Sequence, residues 1–195
     1  MTLAPHITAA IIGVIGVALT FLANRRLIRK DRQRETNALI TAIRSDISSI
    51  VYAVDQSRLV ASYISTLRSP PDAPVYASPV DLPRNENYFQ LFDALAPQLG
   101  RMPPELAKQV VRFYTFFRVA RDAAVPLETQ EQSPVKDVRH VEQARNVLFA
   151  LSQSFQAAEI VLREASATDD LRDGAATAEN LVAAIAEAID QTRVD

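Results

Sequence analysis

The chain begins with an uncharged apolar segment. No Asp, Glu, Lys or Arg occurs from Met1 to Asn24, and Ile7 to Ala23 is almost entirely apolar. A helix of about 17–25 apolar residues is long enough to cross the hydrocarbon core of a bilayer. The pattern therefore predicts a transmembrane helix over residues 1–24.

Small residues recur along this segment at alternating spacings of four and three, so they share one face of the predicted helix. Small side chains let membrane helices approach to backbone contact, which favours self-association. Gly and Ala are also common in membrane helices that have no such partner, and that alternative stays open. The predicted membrane-packing residues are Ala9, Gly13, Gly16 and Thr20.

A basic juxtamembrane helix is predicted over residues 25–38. Its six basic residues fall within ten positions, where only Asp31 has the opposite charge. The positive-inside rule places such a segment in the cytoplasm, which gives a single-pass protein with its N-terminus outside. A cleaved signal peptide would carry its positive charges before the apolar core instead. The residues predicted to contact lipid head groups are Arg25, Arg26, Arg29, Lys30, Arg32 and Arg34.

Residues 39–195 show the apolar period of about 3.5 residues that is typical of packed helices. No Pro or Gly occurs between Val17 and Ser69, so we expect the first helix to continue through this range as one rod. The core positions predicted for this rod are Ile40, Ile43, Ile47, Ile50, Val54, Ser57, Ala61 and Ile64.

A proline-rich strap is predicted over residues 69–87, which contain five of the eleven prolines. Its apolar residues, such as Val75 and Leu82, favour a strap that lies along the bundle over a free linker. A short helix is then expected from Glu86 to Ala96, with Asn85 as its N-cap.

Three longer helices are predicted after the strap. The first begins at Pro103 and Pro104 and runs to about Ala124, and the second begins at Pro134. Gly174, with the aspartates before it, predicts a break or kink ahead of the last helix. The predicted core positions are Leu106, Val110, Phe113, Phe117, Ala120 and Ala124, then Val141, Ala144, Leu148, Leu151, Phe155, Ala158, Leu162 and Ala165, then Leu171, Ala175, Ala178, Val182, Ile185 and Ile189.

The predicted fold class is therefore all-α. The transmembrane helix continues into a long cytoplasmic helix of an antiparallel helical bundle, because the predicted connections are short. Strands are not expected, since no run of residues alternates cleanly between apolar and polar positions.

Charge and composition narrow the function classes. The formal net charge is −2, but residues 1–34 carry six basic and one acidic residue, so the remainder carries −7. A domain this acidic is repelled by phosphate, so nucleic acid is not an expected partner. The absence of cysteine excludes disulfides and thiolate metal sites. No nucleophile, phosphate-loop or metal-ligand motif occurs, so we expect no enzyme, no cofactor and no metal.

Three short motifs in residues 74–121 carry a family resemblance. They are a P-V-Y element, an L-G-x-M-P-P-E-L turn and a V-V-x-F-Y helix, and they follow the apolar anchor and basic collar. The chain thereby resembles a widespread family of small bacterial membrane-anchored helical proteins of unknown function, whose members carry P-V-Y-x-A and V-V-x-F-Y segments. The resemblance implies this fold and a bacterial inner membrane, and it implies no activity. The matching residues are Pro74, Val75, Tyr76, Ala77, Leu99, Gly100, Met102, Pro103, Pro104, Glu105, Leu106, Val110, Val111, Phe113 and Tyr114.

These motifs suit structural roles. Gly100 is expected to permit a tight turn, and Pro104 is expected to start a helix. Tyr76 and Tyr114 are expected to pin the strap to the bundle through their rings and hydroxyls. The residues predicted to anchor the strap and core are Tyr76, Gly100, Pro104, Phe113, Tyr114 and Phe117.

The sequence supports three hypotheses of function. The first is a non-enzymatic interaction or scaffold module that is anchored in a bacterial inner membrane and binds lipids and either a second copy or another protein. The second is a phage-type lysis or envelope-spanning protein, which requires the opposite topology and a periplasmic rod. The third is a ligand-sensing bundle with an aromatic pocket made by Tyr88, Phe89, Phe92, Phe113, Phe116 and Phe117, although aromatic residues at helical spacing are more often core.

Overall fold

The computed structural model describes residues 4–70, 88–129, 138–163 and 169–192. Side chains are described for Arg25 and for residues 27–70, 88–124, 141–163 and 169–192. Every regular element in these ranges is helical, which confirms the all-α prediction for this part of the chain. The elements are α1 (Ala4–Gln56), α2 (Leu59–Arg68), α3 (Gln90–Leu95), a 3₁₀ helix (Ala96–Arg101), α4 (Pro104–Thr129), α5 (Val138–Arg163) and α6 (Asp169–Gln191).

The chain divides into two compact units, residues 1–41 and residues 42–195. In the second unit, α5 packs against α4, α6 and α2, and α2 also packs against α6. Buried alanines on α5 let these neighbours approach closely. Among the described residues, Ser154 is the single buried polar side chain of α5, and its hydroxyl donates a hydrogen bond to the Phe113 carbonyl at 3.0 Å. The residues of α5 with at most 2% exposure are Ala144, Val147, Leu148, Ala150, Leu151, Ser154, Phe155, Ala157, Ala158, Val161 and Leu162.

The prediction of one continuous rod as far as Ser69 is wrong. Helix α1 ends at Gln56, and Arg58 adopts the left-handed conformation with φ 54° before α2 begins at Leu59. The Ser57 hydroxyl donates to the Val54 carbonyl at 2.8 Å, and the Arg58 N–H donates to the Asp55 carbonyl at 3.0 Å. These bonds satisfy helix-terminal carbonyls in the way that C-terminal capping requires, without a glycine.

The break changes which residues of the rod are buried. The predicted core positions from Ile43 to Val54 are confirmed, but Ala61 is exposed and Ile64 is only half-buried. In α2 the buried residues are Leu59, Val60, Tyr63 and Leu67.

The short helix also differs from its prediction, which placed it from Glu86 to Ala96. Residues 88 and 89 form a turn, α3 begins only at Gln90, and the 3₁₀ helix follows directly. Pro97 lies in the first turn of that 3₁₀ helix, where its missing N–H leaves no bond unmade. Pro104 is the first residue of α4, as predicted. The predicted cap Asn85 lies outside the described residues, as do Tyr76 and most of the strap.

Gly174 does not break a helix, which corrects that prediction. It lies inside α6, which already begins at Asp169, and it is buried. A Cβ at residue 174 would stand 2.5 Å from Ser48 Oγ and 3.3 Å from Leu162 Cδ1. Glycine therefore allows α6 to lie close to α1 and α5. The aspartates 169 and 170 begin α6, where their charge favours the positive end of the helix dipole.

Among the helices of the described residues, none combines the length and apolarity needed to cross a bilayer. The backbone of residues 4–24 is helical, but their side chains lie outside the described part of the chain. The transmembrane segment therefore stays a prediction.

Candidate interaction surfaces

The basic juxtamembrane segment is an exposed stretch of α1. The side chains of Arg25, Arg29, Lys30, Arg32 and Arg34 are exposed, and that of the predicted Arg26 is not described. Their guanidinium and ammonium groups can therefore reach anions from the solvent. The ion pair between Arg34 and Asp31 measures 3.9 Å and lies on the surface, where such a pair contributes little.

Charge is segregated around this stretch of helix. At about 100° per residue, the six basic residues occupy one side of the helix. The opposite side contains Leu27, Ile28, Asp31 and Glu35. Leu27 and Ile28 are 59% and 55% exposed, so the side away from the cationic face presents both apolar and acidic side chains. The four predicted membrane-packing residues lie in the helical backbone of α1, but their side chains are not described.

Aromatic rings attach α3 and the turn before it to α4. Phe92 stacks on Tyr114 with ring centroids 4.3 Å apart, and Phe89 meets Phe117 at 5.9 Å. Phe113 and Phe117 are stacked at 5.8 Å and have no exposed surface. Three of the residues predicted to anchor the core, Phe113, Tyr114 and Phe117, are thus brought together. Tyr76 lies outside the described residues, so its predicted contact with Tyr114 stays a prediction.

The Tyr114 hydroxyl donates a hydrogen bond to the Asp46 carboxylate on α1. Burial raises the pKa of Asp46 above its usual value, and the bond from Tyr114 lowers it in part. Burial also raises the pKa of Tyr114, and its hydrogen bond to the Asp46 carboxylate and the charge of that group raise it further. The phenol therefore stays protonated and remains the donor. The sequence did not predict a role for Asp46, because the residue lies between the core positions Ile43 and Ile47 and belongs to no recognisable motif.

Two arginines of α4 lie over the ring of Phe89. The guanidinium carbons of Arg118 and Arg121 lie 4.6 and 4.7 Å from the centroid of Phe89. Arg118 also donates to Asp93 at 3.2 Å, which connects α4 to α3. Sequence reasoning missed both contacts, although the spacing of Arg118 and Arg121 from Tyr114 places all three on one face of α4.

A cavity of about 230 Å³ opens beside the Phe92–Tyr114 stack. This is below the volume of roughly 300–1,000 Å³ that is usual for small-molecule sites. Of the six aromatic residues predicted to line a ligand pocket, only Phe92 lines this cavity. Its lining residues are Phe92, Tyr114, Thr115, Arg118, Val119 and Asp122.

The other two residues that the motifs assigned to structural roles are Gly100 and Pro104. Gly100 has no positive φ, and a Cβ there would meet nothing within 4 Å. Gly100 was predicted to permit a tight turn, but the position does not require glycine. The chain turns there through the 3₁₀ helix, whose backbone conformation other residues also adopt. Pro104 begins α4 as predicted.

The largest apolar side chains on the outer face of α5 mark a second surface. Phe149 and Ile160 are 56% and 43% exposed. On the adjacent edge of α4, Arg112 donates to the Gln153 side chain and lies 5.9 Å from the Phe116 ring. We call this surface the α4–α5 band, and it comprises Gln109, Arg112, Phe116, Phe149, Gln153 and Ile160. The sequence contained a signal for it, since Phe149 and Ile160 are apolar residues that fall outside the α5 seam.

Within the described ranges, no three acidic or histidine side chains come together in a group able to hold a metal ion. A comparison of the chain with protein-family models, with curated proteins and with solved structures finds no match. The family resemblance therefore stays a prediction, and the function has to be argued from the surfaces themselves.

Proposed function

We propose that this chain is a non-enzymatic interaction module, anchored by one helix at the cytoplasmic face of a bacterial inner membrane and able to self-associate. The observation that carries the proposal is the change of charge at Arg25. No Asp, Glu, Lys or Arg precedes it, and six basic residues follow within ten positions. Burying each Arg or Lys at the centre of a membrane helix costs about 2.5–3.5 kcal/mol, so the basic segment opposes its own translocation.

The exposed basic side chains support the lipid part of the proposal. At 1.5 Å per residue, the segment from Arg25 to Arg34 extends only about 15 Å along the helix. Electrostatic attraction to an anionic surface decays over about 8 Å at physiological salt. The first turns of the segment therefore lie close enough to head groups to gain about 1 kcal/mol per well-placed charge.

Membrane fractionation of the full chain tests the anchor. The chain should stay with membranes washed in alkaline carbonate, and a reporter fused after Asp195 should be active in the cytoplasm. Replacing the six basic residues by glutamine is the matched test of the positive-inside argument, because it should reduce the preference for this topology. Recovery of the wild-type chain in the aqueous fraction would contradict the proposal. Reporter activity in the periplasm would instead favour the envelope-spanning alternative.

Self-association is tested by substitution within the anchor. The double variant Gly13→Leu, Gly16→Leu should weaken association in detergent or in lipid nanodiscs, because larger side chains keep helix backbones apart. Thr8→Leu with Ala18→Leu is the matched control, since it also enlarges two small residues but away from the face that carries Gly13 and Gly16. An equal effect of both double variants would exclude a specific contact through the small residues.

A further inference from the structure

We propose that three arginines of the basic segment, Arg25, Arg29 and Arg32, bind the phosphate group of an anionic phospholipid. We call these three residues the arginine column. The inference rests on the proposed membrane anchor and deepens it, because it replaces a diffuse attraction to the membrane surface by a site with named residues and a named ligand. All three side chains are exposed on α1.

The residues of the arginine column follow one line along the surface of α1. At about 100° per residue, their spacings of four and three place them within an arc of about 60°. Helical positions at these spacings have Cβ atoms about 5–6 Å apart. Two adjacent guanidinium groups of the column can therefore hold one phosphate group between them.

The direction of α1 inclines these side chains towards the lipid head groups. Each Cα–Cβ bond of a helix leans towards the N-terminus, and in the proposed topology the N-terminal part of α1 lies in the membrane. The backbone of Arg32 is about 10 Å further along the helix axis than that of Arg25. A long arginine side chain spans part of this distance while its apolar stem lies along the helix. The three charges of the column are therefore directed at the layer that contains the phosphates.

Guanidinium groups suit the chemistry of phosphate. Their planar fork donates two parallel hydrogen bonds to the oxygens of one phosphate, which a lysine ammonium does not do. The acidic residues of the segment, Asp31 and Glu35, lie on the other side of the helix. The ion pair of Asp31, at 3.9 Å, is made with Arg34, which is not part of the column. The column therefore presents cationic donors to a ligand on its own side of α1.

The charges of the column favour an anionic head group over a zwitterionic one. Phosphatidylcholine carries a cationic ammonium beside its phosphate, and the column contains no carboxylate to receive that cation. The ammonium would be repelled by the arginines, whereas phosphatidylglycerol brings its phosphate without a cation. The ligand that fits the column is therefore the phosphate of a lipid with a net negative charge.

Lipid retention by the full chain tests the site. The chain is placed in nanodiscs that contain equal amounts of phosphatidylglycerol and phosphatidylcholine and is then extracted in mild detergent, and native mass spectrometry identifies the retained lipids. The wild type should retain phosphatidylglycerol preferentially. Arg29→Gln with Arg32→Gln should reduce this retention roughly tenfold or more, because hydrogen bonds to a charged group are lost. Arg145→Gln with Arg172→Gln, at exposed positions of α5 and α6, is the matched control and should retain as much as the wild type.

A fourfold variant separates the arginine column from net charge. Adding Asp31→Asn and Glu35→Gln to the double variant of Arg29 and Arg32 restores the net charge of the basic segment to its wild-type value. If the arginines bind phosphate directly, retention should stay as low as in the double variant. If retention returns to the wild-type level, or if the control variant loses as much lipid as the double variant, the lipid responds to net charge alone and the inference is overturned.

The remaining outcomes separate this inference from the proposed anchor. The double variant of Arg29 and Arg32 keeps four of the six basic residues, so it should stay in carbonate-washed membranes as the wild type does. If the wild type stays in membranes but retains the two lipids equally, the site fails while the anchor stands. If inorganic phosphate raises the unfolding temperature of the detergent-extracted chain as much as the same concentration of phosphatidylglycerol does, the ligand is a free phosphate ion and the lipid assignment is overturned. If the wild type is recovered in the aqueous fraction, anchor and site fail together.

Discussion

Tyr114 on α4 donates its phenolic hydrogen to the carboxylate of Asp46 on α1, although 68 residues separate them in the chain. Tyr114 is only 1% exposed, and its ring also stacks on Phe92 of α3. One side chain thus connects three helices through a hydrogen bond and a ring contact. Tyr114 and Phe92 also line the cavity, so loss of this connection would change the shape of the cavity wall.

The hydrogen bond can be removed with little change of shape. Tyr114→Phe keeps the ring but leaves the Asp46 carboxylate without this donor, so we expect a loss of about 1–3 kcal/mol in the free energy of unfolding. Urea unfolding of the full chain in detergent, followed by circular dichroism, measures the change. Tyr52→Phe, at an exposed tyrosine of α1, is the control and should have no effect. Equal stabilities of wild type and Tyr114→Phe would show that the bond contributes nothing.

The raised pKa of Asp46 predicts a specific dependence of stability on pH. Because burial makes the folded chain bind this proton more tightly than the unfolded chain does, the group favours folding fully below its usual pKa of 3.8. That contribution is lost as the pH rises through the raised folded value. The wild type should therefore lose stability relative to Asp46→Asn as the pH rises from below 3.8 towards neutrality. Unfolding free energies of both chains across this range measure the difference.

Asp55→Asn is the control for this pH dependence, because Asp55 is an exposed carboxylate on the same helix. A difference between wild type and Asp46→Asn that stays flat, or that changes in the opposite direction, would contradict the assignment.

The close approach of Gly174 to Ser48 predicts the cost of a methyl group. Gly174→Ala should gain about 1 kcal/mol of helix propensity. It should lose about 1–3 kcal/mol by overpacking, because its Cβ would stand 2.5 Å from Ser48 Oγ. We expect a net loss of roughly 1 kcal/mol in unfolding free energy, and partial recovery in the double variant with Ser48→Ala.

Gly100→Ala is the matched control for Gly174→Ala. A Cβ at residue 100 meets nothing within 4 Å, and the backbone there has no positive φ. This variant should be neutral or slightly more stable. If Gly100→Ala destabilises the chain as much as Gly174→Ala does, the close contact is not the reason for the loss.

Arg58 predicts a stabilising substitution. A residue with a Cβ pays about 1–2 kcal/mol in the left-handed conformation, and glycine does not. Glycine also increases the conformational entropy of the unfolded chain, which offsets about 0.4–1 kcal/mol of this gain in unfolding free energy. Arg58→Gly should therefore raise the unfolding free energy by up to about 1 kcal/mol, whereas Ala61→Gly inside α2 should lower it by about that amount. Thermal and urea unfolding of the two variants distinguish these signs.

Helix α5 shows what the sequence could establish. Its predicted core positions from Ala144 to Leu162 are buried, because a strict spacing of three and four places them towards the neighbouring helices. The beginning of α4 was equally clear, since Pro104 suits a first helical turn and begins that helix. Strong periodicity and a terminal signal were therefore sufficient for the buried face of α5 and the beginning of α4.

The helix break at Arg58 and the surface contacts needed the structure. Residues 57 and 58 contain neither glycine nor proline, so no local signal marked the end of α1. The bond between Asp46 and Tyr114 depends on how two distant segments meet, which periodicity does not specify. Phe149 was visible as an apolar residue outside a seam, but its proximity to the edge of α4 follows only from the antiparallel packing of α4 and α5.

The contact between Gly174 and Ser48 also restricts how this chain can evolve. Neither site can gain volume while the other keeps its present size, because the helices already meet there without room for one further carbon atom. A lineage that acquires a bulkier residue on α6 must first, or at the same time, accept a smaller one on α1. Substitutions at the two residues are therefore expected to occur as a pair, even though the residues are 126 positions apart in the chain.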